Sequence, residues 1–238
     1  IEDCIAYAQK HNPQIAQALI DEQITAQTIR SKLADWYPQL NVNYNLQHNF
    51  QVPTNIIGGN PVALGVNNTS QAQIGLTQSI FNRDVLLAVK SRGDVQLQST
   101  QVTANKKIDL VASVSKAFYD VLASSQQIRV SEQNIIRLER SLQDAYNQYK
   151  AGVADKVDYK RTTITLNNVK AARTSGEALL QAKKEYLKYL MGYPDSASLD
   201  IAFDSARLET EIQFDTLQQA DYKSRIEYRI LETQQKLQ

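Results

Sequence analysis

Apolar and amide residues alternate from Leu40 to Val52. Leu40, Val42, Tyr44, Leu46, His48, Phe50 and Val52 interleave with Asn41, Asn43, Asn45, Gln47, Asn49 and Gln51. Successive side chains of a strand point to opposite faces, so this stretch predicts a strand with one mostly apolar face and one amide face. The solvated face of a soluble sheet usually mixes Lys, Glu and Thr. Uncharged amides fit better with a water-filled lumen opposite lipid, although an edge hairpin on a soluble α+β domain shows the same alternation. The run of about 13 residues exceeds the ~5 to 6 of a soluble strand and covers the ~9 to 11 that a tilted membrane strand needs. On this reading Leu40, Val42, Tyr44 and Leu46 face lipid, and Asn41, Asn43, Asn45 and Gln47 face the lumen.

Residues 53–70 hold Gly58, Gly59, Asn60, Pro61, Gly65, Asn67 and Asn68, which predicts a long exposed loop. Alternation then resumes, with Ala72, Ile74, Leu76 and Ile80 on one face and Gln71, Gln73, Gly75, Thr77 and Ser79 on the other. The two strands form a hairpin with a consistent inside and outside. Ile74 and Leu76 join the lipid-facing set, and Gln73 joins the lumen.

Helical periodicity flanks the hairpin. Before it, Ile5, Ala8, Ile15, Leu19, Ile24 and Ile29 are spaced as in a helix that is broken near Asn12-Pro13, where Pro13 fits the first turn of a second helix. Trp36-Tyr37-Pro38 ends that helix. After Phe81 a proline-free helical stretch of roughly 68 residues, about 100 Å long, runs to Ala151-Gly152. Its residues Leu110, Val114, Ala117, Val121, Ser124, Ile128, Ser131, Ile135, Leu138, Leu142, Ala145 and Tyr149 keep an a/d heptad. A second seam, Val111, Phe118 and Leu122, predicts neighbours on both sides, as for a stave in a barrel wall.

Gly152 and Asp155 predict a tight helix-helix turn over 151–154. The returning helix, from Asp155 to about Met191, has Leu166, Val169, Leu180, Leu187 and Leu190 in heptad register and stops at Gly192-Tyr193-Pro194. Its length and that of the segment from Pro13 to Asp35 together match the one long helix, so the two short helices are expected end to end along it, with the hairpin at one end and Gly152 at the other. A short strand is expected over 198–203 and a last helix from about Asp215. In that helix Ile226, Ile230, Leu231 and Gln234 stand where Ile15, Leu19, Ile20 and Gln23 stand near the start, which reads as the opening of a second repeat cut short.

Composition agrees with long solvated helices: 238 residues contain only 8 Gly and 5 Pro. A formal net charge of +1 gives no steering towards nucleic acid. No run of about 18 apolar residues is present, so no membrane-spanning helix is expected; a β-barrel span escapes that test. Cys4 is the single cysteine, which removes any disulfide framework. With no apolar stretch before it, Cys4 reads as a helix-face residue in preference to a lipid-modified one. The start at Ile1, without Met, reads as processed or trimmed.

Several short segments, in order and spacing, resemble the outer membrane efflux proteins of the TolC type. They are Cys4-Ile5-Ala6-Tyr7-Ala8 with Asn12-Pro13, Tyr37-Pro38-Gln39-Leu40, Gln78-Ser79-Ile80-Phe81 and Ala117-Phe118-Tyr119-Asp120-Val121-Leu122. Tyr149-Lys150-Ala151-Gly152 with Val157-Asp158, and Leu190-Met191-Gly192-Tyr193-Pro194, complete the set. The resemblance implies a homotrimer whose protomers each hold two repeats, building a 12-stranded barrel in the outer membrane of a Gram-negative bacterium and a helical tunnel through the periplasm. It implies a passive duct for small molecules or proteins in a tripartite efflux or type I secretion system. The tip at Ala151, Gly152, Val153, Ala154, Asp155, Lys156 and Asp158 would meet a periplasmic adaptor, the membrane fusion protein of an inner-membrane pump. Asn82-Arg83 departs from the small, glycine-rich residues usual in the family.

The expected fold is therefore mainly α with a β-hairpin: long antiparallel coiled-coil helices as α-barrel staves, plus two strands of a transmembrane β-barrel. Residues 1–36 are N-terminal helices, 37–82 the hairpin, 83–192 the periplasmic helical hairpin, and 193–238 an equatorial segment with the start of the second repeat. A soluble periplasmic coiled-coil scaffold or pump adaptor is the alternative, but it has no reason to build one apolar and one amide strand face.

No enzyme chemistry is legible. His11 and His48 are the only histidines, and neither has a second His or Cys at ligand spacing, so no metal site or other cofactor is expected. GxSxG, Walker A and GxGxxG patterns are absent. Asp155 and Asp158 suggest a carboxylate pair, but the helix dipole favours acidic residues in a first turn. With Lys156 and Arg161 they give a mixed-charge tip, read either as a partner contact or as a solvated turn. Trp36 and Tyr37 suit an interfacial aromatic belt or a helix-strand junction.

Overall fold

The computed structural model describes residues 1–63, 65–201 and 221–238. In order come α1 (Glu2–His11), α2 (Pro13–Ala34), β1 (Gln39–His48), β2 (Thr54–Ile57), β3 (Asn60–Ala63), β4 (Asn68–Thr77), α3 (Arg83–Lys150) and α4 (Lys156–Met191). A 3₁₀ turn (Tyr222–Ser224) and α5 (Ile226–Leu237) follow. Two compact units are present, residues 1–22 with 97–236 and residues 23–96.

In the first unit the core cluster comprises Ala8, Ile15, Leu110, Val114, Ala117, Phe118, Val121, Leu122, Leu187 and Met191. The α3 residues of this core thus come from its heptad and, at Phe118 and Leu122, from the second seam. Leu110, Val114, Ala117, Val121 and Ile135 are buried, most of the remaining heptad residues towards the turn are half-buried, and Tyr149 at its end is exposed. Pairing along α3 runs antiparallel. Lys183 Nζ donates to Ser124 Oγ at 2.7 Å, Arg173 meets Glu132 at 3.0 Å and Lys170 meets Glu139 at 2.8 Å. These pairs are half-exposed and stabilise little, but together they report one register.

The start of α2 occupies the next stretch of α3. Thr100 donates to Glu22, Lys106 pairs with Asp21, and the buried Thr103 hydroxyl reaches the Ala18 carbonyl. α4 and the start of α2 therefore follow one another along α3, as their lengths predict.

Their junction is a buried knot. Asn12 is 5% exposed; its Oδ1 accepts from the backbone N–H of Gln14 at 2.7 Å and of Ile15 at 3.3 Å, and its Nδ2 donates to the Leu190 carbonyl at 2.7 Å. One side chain caps α2 and satisfies a carbonyl at the end of α4. Gly192 ends α4 at φ 66°, and a Cβ there would lie 2.5 Å from the His11 carbonyl oxygen. Only glycine fits both the left-handed backbone and that approach. Tyr7 stacks on His11 and tilts against Tyr193.

Several details differ from the sequence expectation. β1 stops at His48 rather than Val52, and β4 spans Asn68–Thr77 rather than 71–80. The Asn49 N–H still reaches the Asn67 carbonyl at 2.7 Å, and the chain bends out of the ladder at 50 and 51. The expected open loop contains a second small hairpin, β2 with β3, turned by Gly58 and Gly59 at φ 63° and 87°. Two residues at positive φ give the turn whose twist suits a tight hairpin.

No strand forms over 198–201; Ala202 and Phe203 lie outside the described residues. Leu199 and Ile201 instead pack on the core cluster, and Ile201 shares a cavity with Leu122. Part of the second α3 seam is thus covered by the chain itself. The last helix opens at Ile226, after a 3₁₀ turn capped by Asp221; 215–220 lie outside the described residues. α2 opens at Pro13, so the two helix starts stand two positions out of the register that paired Ile226 with Ile15.

Candidate functional site

Two surfaces have the chemistry singled out above. The first, within residues 23–96, is the β1–β4 hairpin. Its register pairs Leu40 with Leu76, Val42 with Ile74 and Tyr44 with Ala72 on one face, and Asn41 with Gly75, Asn43 with Gln73, Asn45 with Gln71 and Gln47 with Thr69 on the other. Directly paired residues of an antiparallel ladder point to the same side, so both strands agree on the faces. Leu46 lies on the apolar side opposite Ser70.

That side is bare. Leu40 is 66% exposed and Ile74 73%, with Val42, Tyr44, Leu46 and Leu76 similar. Among the described strands β1 and β4 pair only with each other. A two-stranded hairpin in water is marginal, and a continuous exposed apolar strip calls for a covering medium or partner.

At the loop end the strip closes with polar groups. Ser70 Oγ donates to the Tyr44 hydroxyl at 3.1 Å, His48 Nδ1 hydrogen-bonds Asn68 Oδ1, and the His48 and Phe50 rings meet edge-on at 4.8 Å. Ten residues of strand at ~3.3 Å each, tilted ~45°, cover about 23 Å, close to the apolar band of a barrel wall. At the other end Trp36 and Tyr37 are exposed between α2 and β1. Asn82 caps α3, its Oδ1 accepting from Asp84 N at 2.9 Å. The departure from glycine-rich residues at this point is therefore a helix cap.

The second surface, within the other unit, is the turn from α3 to α4. Gly152, at φ 75°, sends its N–H to the Tyr149 carbonyl at 3.0 Å, and Val153 sends its N–H to Gln148 at 3.0 Å. These two bonds are the Schellman closure of a helix. Asp155 caps α4 by accepting from Val157 N, and Asp158 lies in the first turn, so neither carboxylate needs a catalytic explanation. Ala151, Gly152, Val153, Asp155, Lys156 and Asp158 are exposed, Val153 at 80%; Ala154 is half-buried.

Beneath the turn lies an aromatic cluster that no sequence motif marks. The Tyr159 ring meets Tyr146 at 5.7 Å and Tyr149 at 5.1 Å, with Lys150 over Tyr146 and Lys160 over Tyr159. The available signal was position, since Tyr146 and Tyr159 stand at similar distances on either side of Gly152.

Cys4 lies within α1, half-buried against the core cluster, where desolvation pushes its thiol pKa up. His11 Nδ1 donates to the Tyr7 carbonyl at 3.0 Å. Among the described residues there is no group of three metal-ligating side chains and no helix long and apolar enough to cross a membrane.

The sequence profile of a family described as "Outer membrane efflux protein" matches residues 4–193. Comparison with curated protein sequences finds no match. Among solved structures the chain is similar to a membrane protein from Pseudomonas aeruginosa, at 22% identity and TM-score 0.62, covering 82% of this chain and 45% of that one. It is similar to CusC, described as forming a transmembrane channel, at 17% identity and TM-score 0.64, covering 86% and 46%. It is also similar to the outer membrane protein VceC of Vibrio cholerae, at 13% identity and TM-score 0.62, covering 87% and 52%. The chain thus spans about half the length of these relatives, and likeness at such identities speaks for the fold.

Proposed function

The chain belongs to the outer membrane efflux protein family, and we propose that it forms part of a passive duct across the outer membrane and periplasm. The observation behind this reading is the bare, in-register apolar face of β1 and β4 opposite an amide face. Lipid covers the one and water the other. In lipid every strand edge must be closed, so the hairpin takes its place beside further strands in a barrel. In the full assembly, a homotrimer, these strands come from other protomers and from parts of the protein beyond this chain.

α3 and α4 serve as periplasmic staves, and the turn at 151–154, with Asp155, Lys156 and Asp158, meets the adaptor of an inner-membrane pump. Cargo, small molecules or protein, passes without a bond-making step. Selectivity resides in the lumen and in opening of the tip. An exposed apolar strand face has no role in a soluble coiled-coil scaffold.

Labelling on intact cells tests the topology. A membrane-impermeant maleimide should reach Asn60→Cys from outside, and Val153→Cys only after the outer membrane is permeabilised. Labelling of neither site until the cells are lysed would overturn the membrane reading. A bifunctional crosslinker at Val153→Cys should capture the adaptor; absence of any product with assembled trimer would remove the tip contact.

A further inference from the structure

Although 21% of the chain is charged, no Asp, Glu, Lys or Arg occurs between Asp35 and Arg83. The gap covers both strands of the β1–β4 hairpin and the segment between them. The water-side face consists of Gln39, Asn41, Asn43, Asn45 and Gln47 from β1 and Thr77, Gly75, Gln73, Gln71 and Thr69 from β4. Amides and hydroxyls donate and accept hydrogen bonds alike but hold no net charge. The one imidazole, His48, lies on the opposite face beside Asn68 and Phe50.

From this we infer that the part of the barrel wall built by this hairpin does not sort cargo by the sign of its charge. It takes polar solutes that are anionic, cationic or zwitterionic, and any charge selection falls outside this hairpin, as in the helical portion, where ionised residues resume. The inference rests on the duct reading. It deepens that reading by naming the breadth of the substrate class at this segment. A ring of fixed charges would act otherwise, since surface potentials of several kT concentrate one sign of solute and exclude the other.

The test is made in the full-length protein in cells. Asn43→Cys is reacted with methanethiosulfonates bearing either a sulfonate or a trimethylammonium group, and modification at position 43 is read by mass spectrometry. The ratio of the two rates should stay within about threefold of the ratio for a small free thiol, because a local potential of only ~1 kT already moves it about sevenfold. Adding Gln73→Glu, directly opposite Asn43, should skew the ratio towards the cationic reagent, and Gln73→Lys towards the anionic one.

A skew clearly beyond about threefold without the added charge overturns the inference while leaving the duct reading intact. Protection of position 43 from both reagents, with modification at Val42→Cys instead, reverses the faces and overturns both.

Discussion

The Asn12 side chain donates to the Leu190 carbonyl at 2.7 Å across 178 residues of sequence, at the point where α4 ends and α2 begins along α3. Because the same side chain caps α2, this contact and the Gly192–His11 approach form one device. Gly192→Ala should destabilise the protein by about 2–5 kcal/mol, from the left-handed backbone and the forced contact together. Asn12→Asp keeps the cap acceptor but loses the donor to Leu190, so it should be less harmful than Asn12→Ala, which removes both. Thermal unfolding of the purified variants orders them; equal midpoints for Gly192→Ala and the parent would contradict the junction.

On the hairpin the two faces should respond oppositely to the same substitution. Val42→Arg or Leu76→Arg places a guanidinium on the apolar side, which costs about 2–4 kcal/mol near the middle of a barrel wall. Asn43→Arg, one residue away on the amide side, should assemble nearly normally. The readout is the fraction of protein reaching the outer membrane. Comparable assembly of Val42→Arg and Asn43→Arg would remove the lipid-facing assignment.

Tyr159 holds the turn from beneath. Tyr159→Ala loses two ring contacts, each worth about 0.5–1.5 kcal/mol, and should raise amide hydrogen exchange in 143–149 and 159–166 without affecting the core around Val114. Tyr159→Phe, which keeps the ring, should behave as the parent. Unchanged exchange in the alanine variant would show that the cluster does not hold the turn.

The Cys4 thiol gives a pH-dependent observable. Desolvation raises its pKa above the ordinary thiol value in the folded chain, so the native state holds the proton more tightly than the unfolded one. The associated stability is therefore present below the unfolded pKa and lost as pH rises through the folded one. Alkylation by iodoacetamide should follow a curve displaced to higher pH than in the denatured protein. Superimposed curves would mean that Cys4 is solvated, not set against the core.

The local elements and their order were legible in the sequence because they rest on periodicity. Alternation placed Leu40 and Asn43 on opposite faces, the heptad marked Leu110, Val114 and Val121 as core, and Gly152 with Asp155 marked the turn. Strand ends were less legible. Whether a residue continues a ladder depends on what its partner can accept, so β1 ends at His48 and Ile80 falls outside β4. Leu199 and Ile201 alternate like a strand but pair with none of the described strands; burial on the core decided their place.

The Tyr146–Tyr149–Tyr159 cluster and the knot of Asn12 with Leu190 and Gly192 could be decided only by tertiary structure. Each joins residues whose meeting depends on the register between helices, and a periodic pattern leaves that register open. Sequence determined which face of each element is apolar; packing along α3 determined which of those faces meet.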